Sequence, residues 1–180
     1  MRLWFGGGPD VDKAISSAFK EDLDACGRGE RDHWKADKMG ILAFIILTDQ
    51  FSRNIYRRQG QAFSFDPLAL ELAKQVVQDD ANILSYKHFE RIFIMMPLMH
   101  SENVEDLELC KSSIQKFLVE SCETLNLPDL ANNFRYNLKF AQDHLDVVLK
   151  FGRFPSRNQA LGRENTAEEE EYLKTAIAWG

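Results

Sequence analysis

Several features that are common in other classes of protein are missing from this chain of 180 residues. Its three cysteines, Cys26, Cys110 and Cys122, have no paired spacing. The last two are expected on one helix, about 18 Å apart, which is beyond the reach of a disulfide. The pattern therefore predicts buried free thiols in a reducing compartment. The formal net charge of −6 argues against nucleic acid or an anionic membrane as the main partner.

Long apolar segments are missing as well. The longest apolar run, residues 41–47, falls far short of the length that spans a membrane. The first residues of the chain do not have the pattern of a signal peptide. These two observations predict a cytoplasmic protein without a membrane partner.

Strand signals are nearly absent. No stretch alternates cleanly between apolar and polar residues, and no Asn-Gly or Asp-Gly hairpin occurs. Almost every periodic segment has helical spacing, and hydrophobic residues, at 44% of the chain, are enough for an ordinary core. We therefore predict an all-α protein, a single domain over residues 1–180, with about seven helices joined by short loops.

Local signals predict where these helices begin and end. The first helix has an N-cap at Asp10 and a stop at Gly27, the second is apolar and runs from Met39 toward Phe51, and the third starts at Asp66-Pro67. The fourth is stopped or kinked at Pro97, and the fifth carries Leu107 and Leu125. The sixth runs from Pro128 to Phe151, and the last begins with a Thr166–Glu169 capping box.

A short phrase occurs twice, each time where an apolar helix is predicted to end. It reads Phe-Ser-Arg-Asn at residues 51–54 and Phe-Pro-Ser-Arg-Asn at residues 154–158. Six of the eleven arginines lie in or beside these two blocks, and neither block contains a lysine. Arginine differs from lysine because its guanidinium group is a planar fork that can stack on other groups. The preference for arginine over lysine therefore predicts two helix ends that make bidentate or stacked contacts.

The sequence leaves two interpretations of these arginine-rich helix ends open. In the first, each Arg-Asn pair satisfies the free carbonyls at the end of its own helix. In the second, the two helix ends lie together and form one cationic pocket, which carboxylates or a bound anion must neutralise. The candidate ligand-binding residues are Asp49, Arg53, Asn54, Arg57, Arg153, Arg157, Asn158 and Arg163.

Candidate catalytic residues lie elsewhere in the chain. His100 and Glu102 follow the Pro97 break and flank Ser101; His100 is a candidate general acid or base that Glu102 orients. His144 lies two helical turns before the second arginine block and is the third candidate. The alternatives are that Ser101 or Glu102 caps the fifth helix, that Glu102 is a counter-ion for an arginine, and that His144 is a hydrogen-bonded core residue.

Metal and cofactor signals are weak. His, Glu and Asp side chains are suitable ligand types, but no metal-binding spacing such as His-Glu-x-x-His accompanies them. We therefore expect neither a metal nor a cofactor.

Four groups of residues together resemble the bacterial domain-of-unknown-function family 924. They are residues 4–7 (WFGG), 49–57 (DQFSRNIYR), 96–102 (MPLMHSE), and 151–158 with 161–163 (FGRFPSRN and LGR). They occur in the same order and span almost the whole chain. The resemblance implies a TPR-like, right-handed array of antiparallel helix pairs. It implies no activity, because the family name records that none was established.

Three hypotheses for the function follow. The first is a helical binding module whose arginines hold an anionic small molecule or a peptide carboxylate. The second is an enzyme that acts on an anionic small molecule, with His100 and His144 as acid and base. The third is that the arginine clusters are purely structural. The apolar content is compatible with a dimer without requiring one.

Overall fold

The computed structural model describes residues 8–121 and 125–176, and within these ranges every regular element is helical. The α-helices of the described residues are α1 Pro9–Gly27, α2 Lys38–Ile45, α3 Ser52–Ile55, α4 Asp66–Val77, α5 Asp80–Leu84, α6 His88–Met99, α7 Val104–Val119, α8 Pro128–Phe151 and α9 Ala167–Leu173. Short 3-10 helices include Asp32–Ala36, Gly60–Phe63 and Pro155–Arg157, and a π-helical turn, Ile46–Phe51, joins α2 to α3. The all-α prediction is confirmed, whereas a TPR-like pairing of the helices stays a prediction.

The chain divides into two compact units. The first unit comprises residues 1–72 and 156–180, and the second comprises residues 73–155. The boundary between residues 72 and 73 falls inside α4. The single domain over residues 1–180 stays a prediction.

Helix α1 begins before the predicted cap. Its N-cap is Gly8, and Pro9 follows in the first turn, where the fixed φ of proline suits a helix and its missing N–H costs nothing. Asp10 lies inside this turn, where its charge interacts favourably with the helix dipole. The predicted Asp10 N-cap is therefore wrong, while the predicted end at Gly27 is confirmed.

Helix α2 begins against the preceding 3-10 helix. Asp37 caps it by accepting hydrogen bonds from the N–H groups of Met39 at 2.9 Å and Gly40 at 3.0 Å. A Cβ atom at Gly40 would lie 1.9 Å from the carbonyl oxygen of Trp34, so only glycine fits this close approach. The predicted helical run toward Phe51 is confirmed, but its last six residues form the π turn.

In the second unit, α6, α7 and α8 pack pairwise against one another. Their buried apolar side chains include Ile94, Leu107, Cys110, Phe117 and Phe134. The core is rich in aromatic rings, and the centroids of Phe117 and Phe134 lie 5.8 Å apart. Helix α8 confirms the predicted bounds, and Gly152 ends it at a φ of 70°, the left-handed conformation typical of a helix C-terminus.

Three further differences separate prediction and structure. Helix α6 continues past Pro97 to Met99, so a stop at the proline is wrong, although a kink there stays a prediction. The short helix α5 was not predicted, since five residues are too few to show a helical period; Asp79 caps it. Helix α7 ends at Val119. The prediction that it carries Leu125 is wrong, since this residue lies in a bend, while Cys122 lies outside the described residues.

Candidate functional site

One arginine from each of the two blocks lies in a common cluster within the first unit. Arg53 comes from α3 in the first block, and Arg157 is the last residue of the 3-10 helix in the second. The guanidinium carbons of Arg53 and Arg157 lie 5.5 and 4.9 Å from the centroid of the Phe63 ring, within cation–π distance. Both guanidinium groups also approach the carboxylate of Asp66. We call Asp49, Arg53, Phe63, Asp66 and Arg157 the arginine cluster.

Arg53 and Asp66 form a two-bond fork. Nη1 of Arg53 donates to Oδ1 of Asp66 at 3.0 Å, and Nη2 donates to Oδ2 at 3.1 Å. Nη1 of Arg157 lies 3.8 Å from the same Oδ2. Asp66 is the first residue of α4, so the backbone holds this carboxylate at a defined place. The geometry explains the absence of lysine at residue 53, since an ammonium group cannot make the parallel pair of bonds.

Asp49 contributes to the cluster through its main chain and its side chain. It lies in the π turn, where the N–H of Ser52 reaches back five residues to the carbonyl of Leu47. The carbonyl oxygen of Asp49 accepts hydrogen bonds from Nη1 of Arg53 and from Oγ of Ser52. Oδ1 of Asp49 lies 3.4 Å from the same Nη1. Single π turns in proteins often mark functional positions.

The four charged side chains of the cluster differ in exposure. Asp49, Arg157 and Arg53 are 1%, 8% and 10% exposed, whereas Asp66 is 23% exposed. Burial by itself disfavours the charged form of Arg53, but the charges of Asp49 and Asp66 outweigh it and raise the pKa of this guanidinium. Asp66 is therefore the charged side chain of the cluster that is most accessible to solvent.

Burial raises the pKa of the Asp66 carboxyl above its ordinary value. The charge of Arg53 opposes this effect, the charge of Asp49 reinforces it, and Arg157 opposes it. Two carboxylates close to the same guanidinium group repel each other, and this repulsion adds to the effect of burial on Asp66. The ionised form of Asp66 is therefore less favoured than that of an ordinary aspartate.

Arg53 has a buried donor that its contacts in the cluster do not use. Nε of Arg53 is buried and has no hydrogen-bond acceptor among the described residues. A buried polar group without a partner costs about 1–3 kcal/mol, and such groups call for a specific explanation.

The remainder of the first block binds a different carboxylate. Nε and Nη2 of Arg57 donate to the two oxygens of Asp12 on α1 at 2.6 and 2.7 Å. Nδ2 of Asn54 donates to Oδ1 of Asp12 at 2.8 Å. The fork from Arg57 lowers the pKa of the Asp12 carboxyl. Arg57 and Asn54 therefore join α1 to the end of α3, which the sequence did not predict.

The second block also has a buried polar pair. Asn158 is fully buried, and its Nδ2 donates to Oδ1 of Asn165 at 2.8 Å and to Oε2 of Glu169 at 3.4 Å. Glu169 and Thr166 form the predicted capping box of α9, which is confirmed. The carbonyl of Asn158 accepts the N–H of Arg163 at 2.8 Å. Arg163 and Arg153 are half-buried.

The second unit brings the predicted catalytic residues together. The ring centroids of His100 and His144 lie 6.4 Å apart, and His144 packs edge-on against Phe154 at 5.5 Å. Oε1 of Glu102 accepts the N–H of Phe154 at 2.8 Å. Glu102 therefore positions the start of the second arginine block.

The tautomer of His144 follows from its hydrogen bond. Nδ1 lies 2.7 Å from the carbonyl oxygen of Phe140, and a carbonyl can only accept. Nδ1 therefore carries a proton, and the lone pair of the neutral ring lies on Nε2. His144 is buried, so both the predicted core role and a role in proton transfer are compatible with its position.

The cap of α7 differs from the sequence-based alternative. Oδ1 of Asn103 accepts hydrogen bonds from the N–H groups of Glu105 at 2.8 Å and Asp106 at 3.4 Å, so the expectation that Ser101 or Glu102 caps this helix is wrong. Oγ of Ser101 instead donates to Oδ2 of Asp106 at 2.8 Å.

Among the residues that the structure describes, no three His, Cys, Asp or Glu side chains are grouped so that they could hold a metal ion. No helix in residues 8–121 or 125–176 is both long enough and apolar enough to cross a membrane.

Sequence reasoning missed two members of the cluster. Phe63 was not a candidate, and Asp66 was predicted only as the start of a helix. The available signal was their position: an aromatic residue and an acid follow Arg53 within thirteen residues. Such proximity is common, so it did not distinguish them from other aromatic and acidic residues.

The fold and the cluster define an all-helical protein with a buried, arginine-rich polar site. The family model for bacterial proteins of unknown function called DUF924 matches residues 1–176, and the chain belongs to this family. A solved structure of a protein of unknown function from Agrobacterium tumefaciens is similar, with 29% sequence identity and a TM-score of 0.78 over 96% of this chain and 89% of that chain. A search of curated proteins finds no match.

Proposed function

We propose that this protein is a helical binding module whose Arg53 and Arg157 guanidinium groups receive an anionic group of a small molecule or a peptide. The observation that carries the proposal is the convergence of these two arginines, about a hundred residues apart in the chain, on Phe63 and on the same Asp66 carboxylate. The Asp66 carboxylate that both guanidinium groups approach is itself an oxyanion, which supports the proposal.

Three properties of the cluster support this proposal. The guanidinium groups are pre-positioned by an aromatic ring and a helix start, which lowers the entropic cost of binding. Nε of Arg53 is a buried donor without an acceptor among the described residues. The most exposed charged member is a carboxylate whose ionised form is disfavoured by burial.

The experiment is a thermal-unfolding screen of the wild-type protein against anionic metabolites, nucleotides and peptides with free carboxyl termini, all at one ionic strength. A ligand that binds the native state raises the unfolding temperature. We expect the shift from one ligand class to disappear in Arg53→Lys and in Arg157→Lys, because lysine keeps the charge but loses the planar fork.

Arg28→Lys is the matched control. Arg28 also lies in the first unit and forms ion pairs with Glu21 and Glu30, but these pairs are exposed. This variant should keep the full ligand shift. The absence of a shift from every ligand, together with strongly destabilised Arg53→Lys and Arg157→Lys variants, would contradict the binding module and favour a purely structural cluster.

A second candidate function has its own observation. The close approach of His100 and His144, with the His144 tautomer set by Phe140, suits proton transfer on an anionic small molecule. In this hypothesis Glu102 acts by positioning Phe154. The test is chemical conversion of any ligand that the thermal screen identifies. Loss of product in His100→Gln and His144→Gln, with the ligand shift unchanged, would support an enzyme; unchanged product formation would exclude these two residues as acid and base.

A further inference from the structure

Asp66 occupies the position that a bound anion would take. Its two oxygens bind Nη1 and Nη2 of Arg53, and Oδ2 also faces Arg157. Its side chain is more exposed than those of Asp49, Arg53 and Arg157. A ligand that approaches from solvent therefore competes with this carboxylate for the same donors.

Local charge indicates which anion can replace it. Asp66 contributes one negative charge to a site in which the other charged side chains are at least nine-tenths buried. A monoanion that takes its place leaves the local charge unchanged. A dianion adds one negative charge beside the buried carboxylate of Asp49, and burying an additional uncompensated charge is costly.

Hydrogen-bond geometry points the same way. Asp66 is attached to the start of α4 and engages the two terminal nitrogens of Arg53, which leaves Nε without an acceptor among the described residues. A carboxylate that is not tethered to α4 can engage Nε and Nη2 together, which is the other bidentate arrangement of an arginine fork. Such a ligand supplies the hydrogen-bond acceptor that Nε of Arg53 lacks in the part of the chain that the structure describes.

We infer that the anion site takes a monoanionic carboxylate, which binds by replacing the carboxylate of Asp66 on Arg53 and Arg157. This inference rests on the function proposed above and adds the ligand class and the internal competitor. The carboxylate belongs either to a small organic acid or to the C-terminus of a peptide, and the experiment separates these two sources.

The charged groups around Asp66 are consistent with its release. It faces Arg53 from α3, Asp49 from the π turn and Arg157 from the second block. The burial of the site and the nearby charge of Asp49 both raise the pKa of Asp66, so its ionised form is less favoured here than in a solvated aspartate.

Isothermal titration tests the replacement. The probes are sodium acetate, an N-acetylated dipeptide with a free carboxyl terminus, the same dipeptide amidated, and inorganic phosphate, all at pH 7 and one ionic strength. The proteins are wild type, Asp66→Asn, and Asp12→Asn as the control, since Asp12 also accepts a two-bond fork from an arginine. We expect Asp66→Asn to bind a free carboxylate at least about tenfold more tightly than wild type, as removal of one charge-assisted competitor implies.

The arms of the titration separate the sources. If Asp66→Asn binds both acetate and the free-carboxyl dipeptide more tightly than wild type does, the site takes any carboxylate. If only the dipeptide binds more tightly, the site takes a peptide terminus. Either result supports the inference, provided that the amidated dipeptide shows no gain and Asp12→Asn behaves as wild type. A larger gain for phosphate than for the carboxylates overturns the inference but leaves the proposed function intact. No binding of any probe to wild type or to Asp66→Asn contradicts both.

A measurement on the wild-type protein covers the case in which Asp66→Asn does not fold. Saturating acetate should move the carboxyl carbon resonance of Asp66 toward the value of a solvated aspartate and shift the Nε–H resonance of Arg53. Binding of acetate that leaves both resonances in place would overturn the replacement.

Discussion

The guanidinium group of Arg53 holds both carboxylate oxygens of Asp66, at 3.0 and 3.1 Å, beneath the ring of Phe63 that Arg157 also contacts. This one relationship joins the two arginine blocks of the sequence. It also sets the expectations for stability, pH dependence and ligand binding that follow.

Arg53→Ala should lower the free energy of unfolding by about 3–5 kcal/mol, because it removes the Arg53 cation from the buried carboxylate of Asp49 and the partly exposed carboxylate of Asp66. Arg57→Ala is the matched comparison. Its side chain is 45% exposed, and exposed pairs contribute about 0–1 kcal/mol. Urea unfolding of both variants at pH 7 measures the difference. Equal losses of unfolding free energy in the two variants would contradict the stabilising role that the contacts of Arg53 indicate.

Asp66→Asn should change the pH dependence of stability above pH 3.8, the ordinary pKa of the carboxyl. Because the folded-state pKa is raised, the native state keeps a proton there that the unfolded chain has released. The contribution of Asp66 is therefore complete below pH 3.8 and is lost as the pH rises through the folded-state pKa. Urea unfolding at a series of pH values should show this downward slope in wild type and not in the variant.

Asp12→Asn should change the pH dependence of stability below pH 3.8, whereas Asp66→Asn changes it above that pH. The two-bond fork from Arg57 lowers the folded-state pKa of Asp12 below its ordinary value of 3.8, so its contribution is present above that pH and is lost as the pH falls through the folded-state pKa. The same pH series measures both variants. If the two substitutions alter the same pH range in the same direction, the assigned protonation behaviour is wrong.

Gly60→Ala should destabilise the first unit by about 1–3 kcal/mol, the typical cost of forcing an atom into a packed site. A Cβ atom at Gly60 would lie 2.8 Å from the carbonyl oxygen of Ala160, so the backbone near Arg57 or near Arg157 must shift. Thermal unfolding measures the loss. Gly8→Ala is the control, because a Cβ there meets no atom within 4 Å; a similar loss in both variants would contradict the close approach.

His144 should carry its proton on Nδ1 in the neutral state. The hydrogen bond to the carbonyl of Phe140 at 2.7 Å requires it. Long-range proton–nitrogen NMR correlations on the native protein distinguish the two ring nitrogens. The exposed His33 serves as a reference for a solvated ring. A protonated Nε2 with an unprotonated Nδ1 would exclude the hydrogen bond and the proposed acid–base arrangement.

Much of the fold was predictable because its signals are local. The capping box of Thr166 and Glu169 and both ends of α8 depend on residues a few positions apart, and the structure confirms them. The Asp10 cap failed for an equally local reason, since Pro9 starts the helix earlier. Pro97 was misjudged because buried neighbours, including the fully buried Leu98, favour the continuation of α6 over a stop.

The candidate site was predictable only in part. The repeated phrase and its exclusion of lysine identified Arg53 and Arg157, because the preference for a planar fork is a property of the residue type. The same pattern also selected Arg57, which binds Asp12 instead. Sequence spacing does not indicate which acid an arginine will meet forty-five positions away, so that choice could not be made in advance.

The sequence by itself therefore determined the helical class, the family, and the two arginine blocks as the chemically unusual parts of the chain. Helical periods, caps and the geometry of a side chain act within a few residues. Only the tertiary structure decided that Arg53 and Arg157 share Phe63 and Asp66, while Glu102 binds the main chain at Phe154. Such contacts depend on the packing of segments that are distant in sequence, and packing sets both the distance between charges and the burial that determines their ionisation.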